Sequence, residues 1–85
     1  MTRETEYRLY FENSLGRRRE ITSFSCGVEQ AVKRALSEIH VFCDERDFKI
    51  YYSRVWNHGD SETVFDVGSH TEFFYLVPAA VVSVD

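Results

Sequence analysis

Proline occurs once in the 85 residues, glycine four times and cysteine twice. So few breakers leave no linker or low-complexity segment, which argues for one folded domain spanning 1–85 and against intrinsic disorder. No apolar run approaches the roughly 18–20 residues of a membrane span; the longest near the end is Ala79-Ala80-Val81-Val82. The opening Met1-Thr2-Arg3-Glu4-Thr5-Glu6 carries acids where a signal or transit peptide needs basic and apolar residues. A cytoplasmic location with no membrane partner is the expectation.

Cations are also scarce, with 10 Lys+Arg against 14 Asp+Glu and a net charge of −4 at pH 7. Duplex-binding proteins draw their affinity from neutralising phosphates, so this balance disfavours that class. The deficit is local. In 51–85 the only basic side chain is Arg54, against Asp60, Glu62, Asp66, Glu72 and Asp85.

The motifs of common chemistries are missing as well. There is no G-x-S-x-G, P-loop, G-x-G-x-x-G or H-E-x-x-H, which leaves no marked nucleophile, phosphate cradle or zinc helix. His40, His58 and His70 match no ligand spacing, and His40 with Cys43 supplies only one His-x-x-Cys pair, so no metal or other cofactor is expected. Cys26 opens a predicted helix, where the dipole can activate a thiol, but no base accompanies it and a plain packing role is preferred. Cys26 and Cys43 bracket that helix about 25 Å apart at 1.5 Å per residue, too far for a disulfide. No enzymatic activity is expected.

What the chain does have is aromatic surface: seven Phe, five Tyr and one Trp. Each ring can bury roughly 150–250 Å², enough to supply the core of a small domain without cross-links. Their spacing defines the elements. Residues 5–12 alternate as a half-buried strand with Tyr7, Leu9 and Phe11 on one side. A loop at Asn13–Gly16 turns into a charged edge strand over 17–24. Over 27–43, Val28, Ala31, Val32, Ala35, Leu36, Ile39 and Cys43 recur at helical spacing, with Ser25 as the expected N-cap. Strands over 48–56, 62–67 and 71–77 follow as a meander, the last ending at Pro78 because proline cannot donate to a ladder.

The order ββαβββ predicts an α+β fold: a two-layer sandwich with one amphipathic helix on a five-stranded, mainly antiparallel sheet, in the suggested order 2-1-3-4-5. One helix about 10 Å wide cannot cover five strands, so much of the sheet is expected to be open.

Two surfaces follow as candidates. Aromatics interleaved with carboxylates in the last third (Tyr51, Trp56, Phe74, Asp60, Glu62, Asp66 and Glu72, with Tyr10 from the first strand) suit a protein-binding face. Phe73-Phe74-Tyr75-Leu76-Val77 makes both faces of its strand apolar, so the tail 79–85, a second copy of the chain or another protein is expected to cover Phe74 and Leu76. The leading functional expectation is a small non-catalytic protein-binding module that occupies a surface of a larger protein, in its more specific form an inhibitor or regulator of one that processes nucleic acid. The alternative is a nucleic-acid-binding module in which Arg17, Arg18 and Arg19 contact phosphate while sheet aromatics stack on bases.

Overall fold

A computed structural model describes residues 2–59, 61–69 and 71–84, with side chains described at 4–59, 61–69 and 71–79. The elements run β1 (Thr2–Glu12), β2 (Arg18–Cys26), a 3-10 turn (Val28–Gln30), α1 (Ala31–Glu45), β3 (Arg54–His58), β4 (Glu62–Asp66) and β5 (Phe73–Val84). The five strands form one antiparallel sheet with the helix on one face, the expected α+β sandwich.

The lateral order is β2-β1-β5-β4-β3, so the meander enters β1 by its last strand and not its first, as 2-1-3-4-5 would have it. Strand direction cannot distinguish the two orders, because β3 and β5 run the same way and either can lie antiparallel to β1. Length and burial decide. β5 matches β1 from Thr2↔Val84 to Glu12↔Phe73, and it carries fully buried Phe74 and Leu76. β3 is five residues long and exposed throughout, which suits an edge.

The strand over 71–77 does not stop at Pro78. β5 continues through it to Val84, and the register steps from Glu6↔Ala80 to Tyr7↔Pro78, leaving Ala79 as a bulged residue. The pairing of β4 reaches only Leu76, so at Pro78 the strand has β1 on one side and nothing in the sheet on the other. The missing N–H therefore costs the β4 side no ladder bond. The tail is thus an extension of β5 and not a sixth strand; Asp85 lies outside the described residues.

The helix begins later than its periodicity suggests. Val28–Gln30 forms a 3-10 turn, Gln30 caps α1 without a side-chain bond, and Ser25 belongs to β2. The buried stripe is Ala31, Ala35, Ile39, Phe42 and Cys43, whereas Val28 and Val32 face solvent. At the other end Asp47 adopts φ 56°, and the Phe48 N–H donates to the Cys43 carbonyl at 2.8 Å, a Schellman closure with Asp in the usual glycine position.

Phe42 seats the helix. Its ring lies 5.0 Å from that of Phe11 and 5.5 Å from that of Phe74, and Phe11 and Phe74 are themselves 5.2 Å apart. Phe74 is therefore 0% exposed on the helix side of the sheet, not on the open face as its run of apolar neighbours suggested. Tyr7, Leu9, Phe24 and Phe65 extend this core across the sheet.

Residues 48–53 are not a strand. They run along the end of the sheet, where the Tyr51 N–H donates to the Val67 carbonyl at 3.0 Å. Gly68 makes this crossing possible: its φ is +97°, and a Cβ there would lie 2.8 Å from the Tyr51 Cβ. Gly68→Ala should lower unfolding stability by about 1–3 kcal/mol, through a left-handed backbone together with the clash. Chemical denaturation checks this, and an unchanged midpoint would show that 48–53 does not pack as described.

Candidate docking surface

Opposed residues of neighbouring strands share a face, and the pairing fixes what lies on the side away from the helix. One row crosses the sheet there as Glu20, Tyr10, Tyr75, Val64 and Trp56. Tyr10 and Trp56 sit where a far-face surface needs them, and Tyr75 takes the position expected of Phe74.

Charged side chains cover the middle of that face. The Arg18 guanidinium lies 3.7 Å from the Tyr75 ring centroid and donates to Glu62 Oε2 at 2.8 Å, while Glu62 Oε1 is 3.4 Å from His58 Nδ1. The Tyr75 hydroxyl donates to Glu12 Oε2 at 2.9 Å. Burial works against the Arg18 charge, but the Glu62 carboxylate more than offsets it, so the guanidinium holds its proton more tightly than usual. The Arg18 hydrogen bond in turn holds the Glu62 carboxyl below the usual range. Burial, then the bond to Glu12, pushes the Tyr75 phenol up.

These pairings change the standing of the acidic residues. Glu62 is bonded to Arg18. Asp66 is buried, with Oδ2 3.0 Å from Arg54 Nη2 and Oδ1 accepting the Gly68 N–H at 2.8 Å, so it shapes the turn after β4. Glu72 accepts from Ser69 Oγ at 2.8 Å. Asp60 lies outside the described residues. Carboxylates held by the fold's own donors are poorly placed to imitate a run of phosphates.

The basic run is divided as well. Strand alternation sends Arg18 to the open face, while Arg19 points toward the helix side, its guanidinium 5.9 Å from the Phe42 ring. Arg17 precedes the strand and is exposed. Arg17, Arg18 and Arg19 do not form one patch.

Among the described residues the exposed aromatic side chains gather at the β3 edge and its approach. All five residues of β3 are exposed, with Trp56 at 41% and Val55 at 39%, on opposite faces of the strand. The approach to β3 adds Tyr51 at 65% and Tyr52 at 41%. The two tyrosines border an open cleft of about 700 Å³ with Phe48, Lys49, Gly68 and Glu72. Arg54 stands 5.5 Å from the Tyr52 ring and 6.0 Å from that of Trp56. Alternation over 48–56 puts Phe48, Ile50, Tyr52 and Trp56 on the helix side and Val55 on the other, whereas the register puts Trp56 on the open face and Val55 on the helix side. Alternation is misleading for Tyr52 because 48–53 is irregular, so no residue-by-residue pattern applies there.

Both cysteines are free and buried, and burial raises each thiol pKa, which works against a reactive thiolate at Cys26. Among the described residues no group of three or more His, Cys, Asp or Glu side chains could hold a metal. No helix among the described residues is long and apolar enough to cross a membrane. No protein-family model, curated protein or solved structure matches this chain.

The Arg18–Glu62 pair gives a signed pH dependence. Because the native carboxyl is depressed, its contribution is complete above the ordinary Glu value of about 4.3 and is lost as pH falls through the lower native value. The pair is partly exposed, so it contributes no more than about 1 kcal/mol. Arg18→Gln should lower stability at neutral pH and flatten its decline on acidification, read from denaturation midpoints. A wild-type and variant difference independent of pH would contradict the pairing.

Proposed function

We propose that this chain is a small non-catalytic protein-docking module that presents the β3 edge, with Trp56, Val55, Tyr51 and Tyr52, to another polypeptide. The observation that carries the reading is the contrast between a closed aromatic core and an edge strand with no buried residue. Exposed edge strands offer unpaired N–H and C=O groups, and an added strand gains main-chain hydrogen bonds while side chains on both faces supply selectivity. Tyr and Trp are also the side chains most often responsible for interface energy. Occupying a partner's surface in this way suits an inhibitor or regulator and needs no bound cofactor. Binding to nucleic acid has less support, because Arg17–Arg19 is divided between faces and Arg18 is already paired with Glu62.

The test is affinity capture from cell extract with wild-type protein, Val55→Lys and Trp56→Ala. Neither position is buried, so both variants should still fold, as thermal unfolding checks, while captured proteins should be lost. Retention of every partner by folded variants would defeat the reading.

A further inference from the structure

We infer that the polypeptide fitting the β3 edge is a second copy of this chain, paired antiparallel about a two-fold axis at Trp56. The inference rests on the reading of β3 as a docking edge and names its occupant.

Among the described residues, the unpaired backbone along β2, along β5 beyond β4 and along β3 is not equivalent. β2 is protected by Arg18, Arg19 and Glu20 on both faces and by a bulge where the register passes from Leu9↔Thr22 to Tyr10↔Glu20. β5 beyond the reach of β4 begins with Val77 and then carries Pro78, which lacks a backbone donor, and the bulge at Ala79. β3 has neither device, and its centre, Val55-Trp56-Asn57, carries no charge.

The β3 strand can also pair with itself in reverse without setting a carboxylate against a carboxylate. Pairing Trp56 with Trp56 of the other copy sets Val55 opposite Asn57 and Arg54 opposite His58, twice over by symmetry. Arg54 and His58 share a face, and His58 lies against the Glu62 carboxylate at 3.4 Å. Each Arg54 keeps its own Asp66 at 3.0 Å and Glu62 keeps Arg18 at 2.8 Å, so the pairing brings no unpaired charge against another. The two Trp56 side chains become a cross-strand aromatic pair, the kind of contact that stabilises sheet pairing. The result is a continuous antiparallel sheet across both copies. So short a strand makes a small interface, below the standard of roughly 1,200–2,000 Å², so the dimer should be weak and concentration-dependent.

Sedimentation equilibrium of the 85-residue chain over a wide concentration range, beside Val55→Lys, Ser23→Lys on β2 and Val82→Lys on β5, tests this. Wild type, Ser23→Lys and Val82→Lys should dimerise alike, and Val55→Lys should remain monomeric. Mild oxidation of Trp56→Cys should yield a covalent dimer, since facing Cα atoms of an antiparallel pair stand about 4.5–5.5 Å apart, within disulfide reach. Dimerisation that survives Val55→Lys, or is lost on Ser23→Lys or Val82→Lys, overturns the inference. So does a wild-type monomer at every concentration. If that monomer still captures other proteins in a Val55-dependent way, the docking edge stands and only self-pairing falls.

Discussion

The structure depends on the antiparallel pairing of β1 with β5, which joins the two ends of the chain along nearly their whole length. Neither strand is a stable element alone. Together they present Leu9, Phe11, Phe74 and Leu76 on one surface, and this surface seats Phe42 and with it the helix. Because the paired segments are distant in sequence, closing them carries a loop-entropy cost that only a large apolar gain can offset. The Phe11–Phe42–Phe74 cluster supplies much of that gain, since truncating a buried Phe typically costs about 3–5 kcal/mol.

Placing β5 at the centre has consequences for the surface. β4 and β3 are pushed outward in turn, and the chain must leave the helix, cross the end of the sheet through 48–53 and enter at the far edge. Gly68 permits that crossing, and Asp66 fixes the turn beside it by accepting its N–H. β3 then lies exposed on both faces, which is why Trp56 and Val55 are exposed although each belongs to an alternating strand. On the open face Arg18 lies over Tyr75 and reaches Glu62, so charge covers the middle of the sheet while its β3 margin keeps its aromatics.

Much of this was legible in the sequence, and what was not has physical causes. The period-2 pattern at Tyr7-Leu9-Phe11 and the helical pattern at Ala31-Ala35-Ile39 identified their elements, because each buries one face only. Phe74 was misplaced because an unbroken apolar run carries no alternation from which to read its inner face. Strand order was hidden by parity, as β3 and β5 run in the same direction. The end of the last strand was misjudged at Pro78, since the tolerance of proline depends on whether β4 extends that far, a tertiary fact. In the candidate surface, Trp56 and Tyr51 were identifiable as excess aromatics. The capture of Glu62 by Arg18, 44 residues away in sequence, was not.

The central claim is that, among the described strands, β3 is the edge left open to pairing, without the charges, bulge or proline of the others. Residue-resolved amide hydrogen exchange at low and high protein concentration tests it most directly. Amides of β1 and of the paired part of β5 should be the slowest, alternate amides of β3 should exchange as if unpaired in dilute solution, and those same amides should gain protection as concentration rises. Uniform protection of β3 in dilute solution, or protection that grows along β2 instead, would contradict it.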